Sequence, residues 1–168
     1  MSIGVFLATL IYCLGAPPGL AQSVFDSGGD GMRFYDAANW NPNGVPASSF
    51  TINNGAQVFA TRGEDPQDRL QIGATNAKVG VSVGANASGT LSLIEQGLFG
   101  QTLDVGVVDG AGTTATGALH LEQLAILTTT TVSVGVTRAN GTAIGTLIGD
   151  SIGVQTLNVG RADGGGSA

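Results

Sequence analysis

Apolar and polar residues alternate in short bursts along much of the chain, the two-residue period of a strand with one buried face. Leu103/Val105, Leu119/Leu121 and Val132/Val134 carry the pattern, and Asp104, His120 and Ser133 between them are predicted to point outward. No window of eleven or more residues places apolar side chains at i, i+3, i+4 and i+7. Neither a helical repeat nor a leucine-rich-repeat helix is therefore expected.

The bursts recur as two phrases. The first is Leu-x-Val-Gly with conservative variants, at Leu70–Gly73, Val81–Gly84, Leu103–Gly106, Val132–Gly135 and Leu157–Gly160. The second, Gly-x-Leu, falls at Gly89–Leu91, Gly117–Leu119 and Gly145–Leu147, 28 residues apart each time. The last three copies of the first phrase are 29 and 25 apart. Repeats of this size indicate solenoids, propellers or arrays. Each unit holds two or three short strands and their turns, one coil of a parallel β-helix whose coils rise ~4.8 Å. Glycines are expected at the corners, and Thr128–Thr131 are expected to line up as outward hydroxyl ladders.

Residues 22–69 have a different texture. They hold six of the seven aromatic residues that follow position 21: Phe25, Phe34, Tyr35, Trp40, Phe50 and Phe59. Residues 70–168 hold one, Phe99, and no proline. A solenoid's terminal coil leaves unpaired backbone and an open core, so it needs an atypical end piece. Residues 22–69 are predicted to be that N-terminal cap, with an Asn-Gly turn signal inside Thr51–Val58. Residues 70–168 are the repeats. They stop at Gly164–Ala168, before the next Gly-x-Leu phrase, so the chain reads as the front of a longer solenoid.

The N-terminus adds an address. Ile3–Leu14 is an apolar run of twelve, followed by Gly15-Ala16-Pro17-Pro18 and by the small residues of Gly19-Leu20-Ala21. The run is too short for a bilayer span of ~20 residues and suits a signal peptide over 1–21, cleaved after Ala21. Its n-region departs from the usual pattern in having no Lys or Arg. Cys13, the one cysteine, lies inside it, so a processed chain would carry neither a disulfide nor a thiolate metal site.

Composition narrows the class further. The chain has 28 glycines in 168 residues, and only 11 % of its residues are charged, against a usual ~25 %. A net charge of −6 with no basic patch argues against nucleic acid as a partner. A normal hydrophobic share argues against disorder. The glycines lack the three-residue period of collagen.

The run Gly29-Asp30-Gly31, then Phe34-Tyr35-Asp36-Ala37-Ala38-Asn39-Trp40-Asn41-Pro42-Asn43-Gly44-Val45-Pro46, then Ile52-Asn53-Asn54-Gly55 precedes the repeated phrases. Together they resemble secreted bacterial repeat proteins with autotransporter-associated β-strand repeats. Many of those bear a PEP-CTERM sorting tail or a dockerin, notably in planctomycetes and related Gram-negative bacteria. The resemblance implies export, a right-handed parallel β-helix and a surface or matrix role. It brings no catalytic residues with it.

Candidate chemistry is sparse. His120, the one histidine, is expected to be solvated beside Glu122. Glu95 and Glu122 follow the Gly-x-Leu phrase in successive repeats and are candidates for a carboxylate pair on one face, although their offsets from the phrase differ by one residue. Glu64, Asp65 and Asp68 gather three carboxylates in five positions, a candidate set for a hard cation against the reading of a solvated turn. Trp40 is a candidate for stacking on a sugar, against the reading of a core residue of the cap. The all-β chain is thus expected to be an exported, non-enzymatic structural or adhesive segment without a cofactor or membrane span. Its expected partners are a surface or matrix polysaccharide or another cell-surface protein. The alternatives are a carbohydrate-active β-helix enzyme and an autotransporter passenger.

Overall fold

In a computed structural model, which describes residues 22–67, 71–163 and 167, the alternating segments form strands that stack in parallel. The expected signal peptide, with Cys13 and the cleavage position after Ala21, lies outside the described residues, as does Asp68. The strands are β1 (Ser23–Phe25), β2 (Trp40–Asn41), β3 (Ser49–Ile52), β4 (Asn54–Thr61), β5 (Gln71–Val79) and β6 (Ala87–Ile94). They continue with β7 (Gly97–Val105), β8 (Thr113–Glu122), β9 (Leu127–Val134), β10 (Gly141–Ile148) and β11 (Ile152–Val159).

From β3 onward, odd and even strands separate into two walls. One sheet runs β11-β9-β7-β5-β3-β1-β2 and the other β10-β8-β6-β4. Every pairing is parallel except β1 with β2. Single bridges from Ser82 to Val108, Thr137 and Ala162 add a narrow third wall. The result is a β-solenoid of about five turns. Along its axis run columns of like side chains: Leu91 over Leu119 and Leu147, Leu103 over Val132 and Leu157. Each fully buried leucine contributes roughly 1.5–3 kcal/mol by leaving water.

The two sequence phrases meet in space. Gly106 and Gly135 turn the corner at the end of the odd strands with φ of +61°. Opposite them lie the glycines of the Gly-x-Leu phrase. A Cβ on Gly117 would come within 2.2 Å of the Gly106 amide nitrogen, and one on Gly145 within 2.2 Å of that of Gly135. Neither corner nor strand tolerates a side chain, because backbone touches backbone there.

The register corrects part of the sequence reading. Ala77-Lys78-Val79-Gly80, not Val81–Gly84, stacks on Leu103–Gly106. Alanine in the leucine position hid this copy, whereas Val81-Ser82-Val83-Gly84 imitates the phrase from the third wall. An earlier copy, Phe50-Thr51-Ile52, stacks on Ala77–Val79. The two sheets therefore run through the expected boundary at 69/70, and β3 and β4 form a coil within residues 22–69. The Asn-Gly signal makes no hairpin, since β3 and β4 belong to different sheets. Thr129 also departs from expectation: its side chain is buried while Thr130 is exposed.

The N-terminal end of the core is closed by aromatic rings. Trp40 meets Phe25 at 5.1 Å and Phe34 at 5.0 Å, both edge to face, and Phe34 meets Phe50 at 5.2 Å. Such geometries set the positive ring edge against the negative face. The rings cover the first coil, and antiparallel β2 covers the edge that β1 would otherwise present.

Candidate functional site

The loop before Trp40 is organised around one buried amide. Asn39 Oδ1 accepts from the amides of Gly29 and Gly31, each at 2.9 Å. Its Nδ2 donates to Asp30 Oδ1 at 2.8 Å and to the Arg33 carbonyl at 3.0 Å. Asp30 Oδ1 also accepts from the amides of Arg33 and Met32. Those two backbone donors, then Asn39, lower the Asp30 pKa from 3.8 to about 2. Asp36 caps the short 3-10 turn Ala37–Asn39 through the Ala38 amide. The Gly-Asp-Gly and Asp-Ala-Ala-Asn-Trp runs are thus the wiring of the cap.

Trp40 belongs to the same construction. Its ring is fully buried, and Nε1 donates to the Phe34 carbonyl at 2.8 Å. A sugar has no face of this ring to stack on, which corrects the candidate role.

Of the acidic run, Glu64 and Asp65 lie within the described residues and engage different partners. Glu64 faces the Arg33 guanidinium at 3.3 Å, and buried Asp65 accepts the Gln67 amide at 2.9 Å. Among the described residues, no group of three or more His, Cys, Asp and Glu side chains is placed to hold a metal ion.

Glu95 and Glu122 do not stack either. Glu122 pairs with Ile94, one residue before Glu95. Glu95 turns a corner with φ of +54°, and its counterpart in the next coil is Gln123, with φ of +52°. The extra residue between Gly89 and Glu95 sends one carboxylate along the strand and the other around the corner. His120, half-buried, pairs with Ser92 and Ile148 across the coils.

A charged cluster that the sequence reading did not assemble lies where the first sheet meets the third wall. Arg138 donates from Nη2 to Asp104 Oδ1 at 2.8 Å and from Nη1 to Asp109 Oδ1 at 3.1 Å. Bidentate pairing with Asp104 raises the arginine's pKa further above its ordinary value, so the charge is permanent. Nη2 also reaches Ser133 Oγ at 3.3 Å, and Ser133 is buried rather than exposed. The cluster ties two coils together.

Two uncharged faces remain open. On the second sheet, Asn54, Ser88 and Thr116 form one column. With Asn86 and Thr114 they line an open groove of about 520 Å³. On the first sheet the outward column is Gly73, Phe99, Thr128 and Gly153. Phe99 is 54 % exposed. It walls two shallow grooves, one of about 390 Å³ toward Ser48 and Thr75, the other of about 450 Å³ toward Thr130 and Gln155. Sequence reasoning passed over Phe99 because the aromatic density pointed to the cap. Its signal was its place next to inward Leu98, which alternation turns outward.

No protein-family model matches the chain, and comparison with curated proteins and with solved structures likewise finds no match.

Proposed function

We propose that the chain is an exported, non-enzymatic segment of a bacterial surface or extracellular-matrix protein, with a structural or adhesive task. One observation carries the reading: its charged clusters hold the scaffold, while the open groove on the second sheet is lined by neutral hydroxyls and amides. Arg138, Asp104 and Asp109 bind one another. Asp30, Arg33 and Glu64 fasten the cap loop. One outer column of the second sheet, by contrast, carries Asn54, Ser88 and Thr116 in register along the axis before it reaches Ile144. Such a surface binds through many weak contacts made at once, which multiplies affinity without a deep pocket. The apolar run Ile3–Leu14 and the likeness of residues 27–168 to exported repeat proteins support the address.

The test uses the full chain with a C-terminal tag in a Gram-negative host. Export predicts an N-terminus at Gln22 and recovery from the surface or medium; a cytosolic product beginning at Met1 overturns that part. Beads coated with the protein are expected to attach to the producing bacteria or their matrix. Beads that settle no better than albumin-coated ones overturn the adhesive part.

A further inference from the structure

We propose that the Phe99 face of the first sheet is a binding strip for a linear neutral polysaccharide, with Phe99 as its stacking platform. The inference rests on the adhesive reading above and names its ligand class and site.

An exposed phenylalanine is ordinary on a protein surface; what surrounds this one is not. Gly73 and Gly153 flank it and Thr128 in the outward column. Neither glycine has a positive φ. A Cβ on Gly73 would meet nothing within 4 Å, and one on Gly153 would make only an ordinary contact at 3.6 Å. Other strand glycines are different: at Gly89, Gly100, Gly117, Gly141 and Gly145 a Cβ would lie 2.1–2.4 Å from neighbouring backbone. Glycine inside a strand is destabilising relative to alanine, because the unfolded chain loses more freedom. At 73 and 153 packing does not demand that cost, and its effect is to leave the ring and the neighbouring hydroxyl uncovered.

The chemistry of the strip selects the occupant. An aromatic face carries negative charge density that attracts the polarised C–H groups on one side of a pyranose ring. Gln101, Gln155 and Thr130 offer amides and a hydroxyl to sugar hydroxyls. No charged side chain lines either groove, and the chain's net charge of −6 repels acidic polymers. One short piece of backbone comes from each coil, from Ser48 through Thr75, Gln101 and Thr130 to Gln155. At ~4.8 Å per coil, the four steps between these five pieces make a strip roughly 19 Å long, parallel to the axis. That is a track for an extended chain.

Affinity electrophoresis of the full chain tests this in gels holding a soluble β-1,3-glucan, a β-1,4-glucan, an α-mannan or polygalacturonate. At least one neutral polymer is expected to retard the protein, and polygalacturonate is not. Phe99→Ala is expected to weaken retardation roughly tenfold. Gly73→Val is expected to weaken it comparably by covering the ring. Val favours a strand and has space at 73, so this variant should melt no lower than the parent. Leu124→Ala, at an exposed corner away from the strip, is expected to bind like the parent. Retardation by polygalacturonate alone, by no neutral polymer, or undiminished in Phe99→Ala and Gly73→Val overturns the proposal. If protein-coated beads adhere equally well with Phe99→Ala, the strip is wrong while the adhesive reading stands. If the beads fail to adhere with the parent protein, the broader reading has failed.

Discussion

The two ends of the described stack treat the same core in opposite ways. At the N-terminal end, Trp40, Phe25, Phe34 and Phe50 close over the first coil. At β11, the core columns meet solvent: Leu103 and Val132 are fully buried, yet Leu157 in the same column is 50 % exposed. Val105, Val134 and Val159 show the same gradient. The phrase is unchanged from coil to coil; its neighbour on the axial side differs. In a solenoid, burial is therefore conferred by the adjacent coil rather than by the residue's own segment. The cap solves at one end, with single-use aromatic and hydrogen-bonded parts, what each inner coil solves by repetition.

The sharpest way to break this comparison is to open the closed end. Trp40→Ala removes the ring that touches Phe25, Phe34 and Phe50 and leaves a cavity against the first coil. A loss of about 3–5 kcal/mol is expected, seen as a Tm lower by roughly 10 °C in far-UV circular dichroism. A shift of less than roughly 2 °C would mean that the cap is not coupled to the stack.

The next effect measures the gradient itself. Leu103→Ala and Leu157→Ala make the same chemical change in one column. The buried site should lose about 2–5 kcal/mol and the exposed one under ~1 kcal/mol in urea unfolding. Equal losses would show that β11 is as well covered as β7 in solution.

The contrast between repeat and cap also explains what the sequence revealed. Period-two alternation and regularly spaced glycines report geometry that every coil repeats, so the solenoid and its corner glycines were legible, while the contact of Gly106 with Gly117 was not. Ala77 was not, because a column accepts alanine once the flanking coils fill the space. Phe50 was not, because an aromatic residue that seals the cap also occupies the repeat position. Asn39 gave no sign of its role, since its four partners are gathered by a loop that follows no period. For the candidate carboxylates, one inserted residue decided the outcome, turning Glu95 around a corner that Glu122 never reaches. Phe99 was readable from alternation alone, but its significance lies in Gly73 and Gly153, which are distant in sequence and adjacent only in register.

The smallest effect separates the cap from the coils by pH. The Asp30 carboxylate accepts two backbone amides and the Asn39 amide, and these lower its pKa from 3.8 to about 2. Because the folded form holds the proton less tightly, this contribution is complete above the unfolded value. It fades as pH falls from about 4 through about 2, as the carboxylate protonates in the folded state. The apolar columns of the inner coils, such as Leu91 with Leu119 and Leu103 with Val132, hold no carboxylate and contribute no matching loss in that window. Asp30→Asn keeps an acceptor oxygen but removes the charge, so its Tm should lie below the parent's at pH 6 and converge with it near pH 2. A gap that stays constant down to pH 2 would place the weakness of the variant in packing instead of charge.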